Sequence, residues 1–534
     1  MAKFLRSYFF LILLIVIGAA IRWAYLWWPV VRYSVDECTY GIQALHILKG
    51  ERPVFYYAQP FTGSQSAYLA ALGFWLFGFY PIFLKLVPFT FSVVFIVATY
   101  LVASRVAERL EGIKSVEVKL AGLLAAALVA IPPVFMANWS VRAGTGYPET
   151  TLIGSLCLLV AFSILWGKGE GGGRLGRKFF LLGLLGGLGY WVQPAIAYFL
   201  VPIFGFLVVW GVDRLRRASS EGKLSVVGCQ LLVFVLIALV GFGIGSLPVW
   251  VYNFQNEWMT SRSLIHKPGG TKMAFVNFFR VGLPPLLGTR APWSDKDLFK
   301  PLAVTVWALY AAAYLGLIWR RKKVIRNYLR FDFSQAQPVD LLLACATIVP
   351  FIFSFSPFNW FLTEPRYIYG LYGSLPIILA LCAVSFGIKK ALVVTGLVIF
   401  SNILGIVWSG NHSRPNSFEA PLSLKNVLSF IIEHKIKYVF SSDRLCHRLI
   451  YESNEQIICT QMEGGFGSVR YPKYIEMVNN APKEEKGYVF LIGDWSQSDV
   501  FHPALVGCEK DLTKQDGPCH EEIIDGVFRV SWFR

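Results

Sequence analysis

Residues 7–37 read SYFFLILLIVIGAAIRWAYLWWPVVRYSVDE. The apolar run over 7–28 is long enough for a helix to cross a hydrocarbon core roughly 30 Å thick. It ends in Trp27-Trp28, rings of the kind that settle at the membrane–water boundary. A secretory signal would show a shorter apolar core and a small-residue cleavage site. This run instead continues through Arg22, so it reads as a retained first membrane helix, with Lys3 and Arg6 keeping its N-terminus in the cytoplasm.

The same pattern recurs along the chain. Of its 534 residues, 55% are apolar and 16% aromatic, and charge is scarce until about position 411. Apolar runs fall at 7–28, 82–104, 119–137, 149–166, 178–192, 195–212, 224–251, 301–319, 339–356, 367–386 and 390–408, which makes about eleven membrane helices. The net charge of +17 would suggest nucleic acid in a soluble chain, but here the positions of the charges decide against it. Arg105, Arg109, Lys114 and Lys119 form one basic connection, and Lys168, Arg174, Arg177 and Lys178 a second. Arg214, Arg216, Arg217 and Lys223 follow, then Arg320 to Arg330, then Lys389-Lys390. With the N-terminus inside, all of these fall on the cytoplasmic side, as the positive-inside rule requires. The agreement depends on breaking 178–212 into two helices at Gln193-Pro194; one long helix would put the run from Arg320 to Lys323 outside.

The opposite face then carries outer loops at 29–81, 138–148 and 252–300. The expected fold is an all-α polytopic membrane domain over 1–410 and an extracytoplasmic α/β domain over 411–534, in a multi-pass protein of the plasma membrane. In the tail, helix patterns at Val427–His434, Asp443–Tyr451 and Tyr471–Val478 alternate with strand patterns at 438–440, 457–459 and 488–492. That rhythm implies a small layered domain with at least partly parallel strands. Cys446, Cys459, Cys508 and Cys519 lie there, either as disulfides or as buried thiols. Gly464-Gly465-Phe466-Gly467 lacks the strand–turn–helix setting of a nucleotide fingerprint. The seven histidines show no paired metal-ligand spacing, so no metal motif is assigned.

The chemistry points to Tyr33-Ser34-Val35-Asp36-Glu37. Ionisable groups held against a low-dielectric boundary are functional candidates, and a carboxylate there can act as a general base toward a hydroxyl. The bland alternative, a solvated loop start, carries comparable weight from charge alone. After the acids come Tyr40, Ala44, Lys49-Gly50, Tyr56-Tyr57-Ala58-Gln59-Pro60, Gly63-Ser64 and Leu76-Phe77-Gly78, and then Lys85 opening the second span.

This order of features resembles the first outer loop of GT-C glycosyltransferases, nearest to the protein-mannosyltransferase-like and aminoarabinose-transferase-like membrane proteins of glycosyltransferase family 39. Arg142 and Glu149 in Arg-Ala-Gly-Thr-Gly-Tyr-Pro-Glu, and Arg366-Tyr367 after Glu364-Pro365, extend the resemblance, although many members carry Asp where this chain has Glu149. It covers about residues 1–410 and brings no motif to the tail. It implies a polyprenyl-phosphate-linked sugar donor in the membrane and an acceptor hydroxyl, on protein, lipid or polysaccharide, arriving from outside. Asp36 would be the base for an inverting displacement, with Glu37 and Glu149 as further acids. Lys85, Arg142, Arg262, His266, Lys267 and Arg366 would meet the donor phosphate, arginine offering a two-pronged fork to its oxygens. Some GT-C enzymes bind a divalent ion at the first-loop acid, and that remains open here for Asp36 and Glu149.

Arg262 to Gly270 also suits either a lid over the site or a loop lying on anionic lipid. The rival readings are a transporter or flippase for lipid-linked glycans and a non-catalytic scaffold. A transporter should show internal repeats and charged or broken helices at mid-membrane; here the acids gather at the outer rim.

Overall fold

Over its described residues, every apolar run marked above is mostly helical. The structure, a computed structural model, describes residues 2–27, 33–167, 172–265, 270–292, 296–359, 365–411, 423–461, 470–492 and 519–533. Trp28, Lys168, His266, Lys267, Glu364, Gly464 to Gly467 and Cys508 lie outside them. Nine helices among the described residues are long and apolar enough to cross a membrane: Tyr8–Leu26, Ile82–Ala107, Tyr147–Leu165, Pro194–Ser220, Leu224–Gly245, Lys300–Tyr328, Pro338–Phe355, Arg366–Val384 and Ile388–Ser409. The two remaining expected spans are the helices Ser115–Ala130, which has 16 residues, and Gly172–Val192, which begins with glycines and basic residues. The chain is thus a multi-pass membrane protein.

The break at Gln193-Pro194 is real. Gly172–Val192 ends there, a short 3-10 turn spans Pro194–Ile196, and Ala197–Ser220 runs back beside the first helix. Gly189 abuts Ile196, Gly186 abuts Leu200, and the rings of Phe179 and Trp210 lie 6.4 Å apart, the order of an antiparallel hairpin. Gly172–Val192 also packs on Leu224–Gly245 through facing glycines. A methyl added at Gly183 or Gly187 would strike the backbone of Ala238 or Phe242, and one at Gly241 or Gly245 that of Phe180 or Leu184. Small residues four apart let two helix backbones touch, which drives helix pairing where lipid gives no hydrophobic advantage.

The basic connections gather at one end of the bundle. Arg109 donates to the carbonyl of Trp166, and the Trp166 indole to that of Ala336. Arg216 donates to the carbonyl of Arg330, and Arg320 to the hydroxyl of Ser385. These four bonds tie all five basic segments to a single face.

The tail forms a five-stranded sheet. In chain order its strands are β1 (Tyr438–Ser441), β2 (Ile458–Gln461), β3 (Lys486–Leu491), β4 (Cys519–Ile524) and β5 (Phe528–Phe533), arranged β2-β1-β3-β5-β4. β1 is parallel to both β2 and β3, as its alternation with the helices Lys425–Glu433, Asp443–Glu452 and Lys473–Asn479 requires. The hairpin β4–β5 is an addition to the sequence reading. Its turn at Asp525-Gly526 has both residues at positive φ, the conformation for which an Asp-Gly pair is suited. Cys446 and Cys459 are joined in a disulfide that fastens Asp443–Glu452 to β2. The same helix lies on the connection that follows the first membrane helix: the Tyr451 ring fills the space above Gly41, and its hydroxyl donates to the carbonyl of Pro81 at 3.0 Å.

Candidate active site

The site begins where the chain turns from the first membrane helix into the helix Val35–Leu48. Ser34 caps it: its hydroxyl accepts the Glu37 N–H at 3.3 Å, and the Glu37 carboxylate accepts the Ser34 N–H at 3.0 Å. This reciprocal box starts the helix at a fixed residue, and acids in the first turn suit the positive end of its dipole. Successive residues on a helix are about 100° apart, so the adjacent acids face different surroundings.

Asp36 faces the boundary between the membrane domain and the tail. Its Oδ2 accepts Arg366 Nη1 at 3.1 Å, and its Oδ1 accepts the Tyr56 hydroxyl at 3.1 Å, with Arg470 Nη2 3.5 Å away. Its side chain is 20% exposed. Burial acts to raise the carboxyl, but the charges of Arg366 and Arg470, together with the Arg366 and Tyr56 hydrogen bonds, hold it below the usual carboxylate range. The guanidiniums of Arg142 and Arg366 both lie against the Trp139 ring, at 5.5 and 5.7 Å, and that of Arg470 lies 5.4 Å from the Tyr56 ring. Two arginines therefore pair with this carboxylate, and Arg142 shares the Trp139 ring with one of them.

Glu37 faces inward and is fully buried. Its Oε1 accepts Lys85 Nζ at 2.7 Å and the Ala143 N–H at 3.2 Å. Lys85, expected at a phosphate, is instead 5% exposed, paired with Glu37 and 4.5 Å from the centre of the Tyr33 ring. Glu149 is also buried; its Oε1 accepts the Ser66 hydroxyl at 3.2 Å. Its other oxygen and both polar atoms of neighbouring Gln65 have no hydrogen-bond partner among the described residues. Tyr40 is near enough to Asp36 and Glu149 to feel both charges. Its phenol donates to the carbonyl of Gly63, and burial, with the charges of Tyr56, Asp36 and Glu149, pushes it well up. Arg262 sits apart at the exposed surface, paired with Glu257 at 3.0 Å.

The structure thus pairs Asp36 with Arg366, sets Arg142 with Arg366 at the Trp139 ring, joins Glu37 to Lys85, and buries Glu149 against Ser66. Sequence reasoning missed Arg470. It lies 434 residues from its carboxylate and just past a glycine-rich stretch whose only visible feature was its lack of a nucleotide motif. Among the described residues no group of three or more His, Cys, Asp or Glu side chains converges to hold a metal ion. Asp36 faces guanidiniums and Glu149 a serine, so this donor set does not fit a divalent ion, and no step below uses one.

No protein-family model matches the chain, and no curated protein does. Solved structures do. ArnT from Cupriavidus metallidurans in the apo state aligns with a TM-score of 0.58 at 12% identity, covering 99% of this chain and 98% of that one. Its form bound to undecaprenyl phosphate aligns at 0.57 and 11% identity, covering 98% of each. The apo oligosaccharyltransferase of Archaeoglobus fulgidus aligns at 0.52 and 15% identity, over 90% of this chain and 69% of that one. At such identities the likeness is one of architecture, and with the helix order and the C-terminal domain it establishes that this chain has the GT-C fold.

Proposed function

We propose that the protein is an integral-membrane glycosyltransferase, of the family 39 type, that moves a sugar from a polyprenyl-phosphate donor to an acceptor hydroxyl. The observation that carries this reading is Asp36: a carboxylate where the membrane domain meets the tail, paired with Arg366 and Arg470, with Arg142 beside Arg366 at the Trp139 ring. A base for a hydroxyl and cations for a leaving phosphate are the two things such a reaction needs in one place. Undecaprenyl phosphate in the ArnT structure supports a donor lipid of that class.

In the step proposed, Asp36 takes the proton of the acceptor hydroxyl as that oxygen bonds to the anomeric carbon. The carbon–phosphate oxygen bond breaks on the opposite face with inversion. The leaving polyprenyl phosphate is neutralised by Arg366 and Arg142. Positioning and charge stabilisation do most of the work in such displacements. The basic face is taken as cytoplasmic, which places the site and tail outside; the Cys446–Cys459 disulfide suits that oxidising side.

Glu149 and Gln65 are assigned to the sugar, whose hydroxyls would complete their unpartnered atoms. Glu149→Gln should lower kcat/KM by about 10- to 100-fold, chiefly through KM, because one charged hydrogen bond is worth about 1.5–3 kcal/mol. Steady-state kinetics against donor concentration measures it, and an unchanged KM would remove Glu149 from the donor site.

The direct test is release or transfer of radiolabel from a panel of polyprenyl-phosphate sugars by the purified protein in detergent. Turnover with one donor establishes the class. Donor binding without turnover would favour a transporter or a scaffold instead.

A further inference from the structure

The tail is built into the first outer loop rather than tethered beside it. His46, near the end of Val35–Leu48, is buried, with its Nε2 2.9 Å from Glu455 and 3.0 Å from the Tyr474 hydroxyl. Its Nδ1 lies 2.6 Å from the Tyr57 hydroxyl. Lys49 adds a bond to Glu455 at 2.6 Å, and the Tyr471 hydroxyl donates to Glu51 at 2.6 Å. Burial alone would raise the Glu455 carboxyl; hydrogen bonds from His46, Lys49 and Tyr474 bring it down to about 2. Helix Lys473–Asn479 carries Tyr474, and Arg470 lies three residues before that helix begins. The contact that fixes this helix on the outer loop therefore also fixes Arg470 over Asp36.

We propose that the C-terminal domain completes the active site: it locks onto the Val35–Leu48 helix through the His46–Glu455 pair and so delivers Arg470 to Asp36 as a positioning residue. The inference rests on the functional reading of Asp36 above. The two arginines address different oxygens of the carboxylate. Arg366 shares the Trp139 ring with Arg142 and is drawn toward a donor phosphate; Arg470 remains to hold the carboxylate plane toward the acceptor. From the membrane domain Asp36 is also faced by Tyr147 and by Tyr56 and Tyr40, the last two phenols that burial pushes well up. From the tail it is faced, besides Arg470, by the Asp443–His447 pair, whose charges also reach it.

Carbodiimide labelling of Asp36, followed against pH by peptide mass spectrometry on the full-length protein in detergent, reads this directly, because only the protonated carboxyl reacts. Removing one of two cations raises an acid, so in Arg470→Gln labelling should persist to roughly one pH unit higher than in wild type. Arg470→Lys retains the charge and should keep part of the depression, which separates loss of the guanidinium from misfolding. Glu455→Gln, remote from Asp36, should shift the midpoint the same way by loosening the dock. An unmoved midpoint in Arg470→Gln overturns the proposal, and an unmoved midpoint in Glu455→Gln overturns the lock. A shifted midpoint in a protein that transfers no sugar from any donor would instead remove the glycosyltransferase reading and leave the positioning intact.

Discussion

Asp36→Asn in the purified protein should reduce sugar transfer by about 10²- to 10⁴-fold, the contribution of a positioned general base, while leaving donor binding in place. Asparagine keeps the shape of the side chain and an oxygen for the Tyr56 hydroxyl, but it cannot take a proton. The pH profile should carry a second signature. A carboxyl held low by Arg366 and Arg470 stays ionised below the usual carboxylate range, so kcat/KM, which reports the free enzyme, should fall only at acid pH. Once a donor phosphate draws Arg366 away, the carboxyl loses one of its two cations and rises. The acid limb of kcat should therefore lie at higher pH than that of kcat/KM. Transfer undiminished in Asp36→Asn would move the base to another group, and coincident limbs would mean that Arg366 does not leave the carboxylate.

Asp36 was legible because it is an acid at a membrane boundary, a property of one position and its flanks. The hairpin at Gln193-Pro194 was legible because only two helices kept the basic segments together, and Arg109, Trp166, Arg216 and Arg320 now tie those segments to one face. The strands and helices from 425 to 491 could be read from alternation alone, within a few residues of where they lie. The fine structure of the site could not be read in this way. Sequence sets Asp36 and Glu37 side by side, and helix phase then sends one to the domain boundary and the other to the core. Lys85 reads as a free cation until folding brings Glu37 to it across 48 residues. Arg470 depends on a tertiary contact between two domains, and no local pattern records such a contact.

The pairing of Glu37 with Lys85 leads to a stability prediction of comparable size. Glu37 is wholly buried and joins three segments: the start of its own helix through Ser34, the second membrane span through Lys85, and the connection before Tyr147–Leu165 through the Ala143 N–H. Glu37→Ala leaves the ammonium of Lys85 buried without its counter-charge, beside the Tyr33 ring. Breaking a buried pair from one side costs about 3–5 kcal/mol. The apparent melting temperature, followed by tryptophan fluorescence in detergent, should drop accordingly. Replacing both partners by apolar groups of similar volume removes the stranded charge, so Glu37→Leu with Lys85→Met should recover part of the loss. The unpaired Ala143 N–H should keep a deficit of about 1–3 kcal/mol. The folded double variant also decides what Lys85 does. If it still binds a polyprenyl-phosphate sugar, the ammonium serves Glu37 and the architecture of the loop; if binding is lost while the fold survives, Lys85 meets the phosphate after all. The geometry favours the first outcome, because a cation 2.7 Å from a buried carboxylate has its charge already matched, whereas Arg142 and Arg366 share the Trp139 ring and Arg366 reaches Asp36.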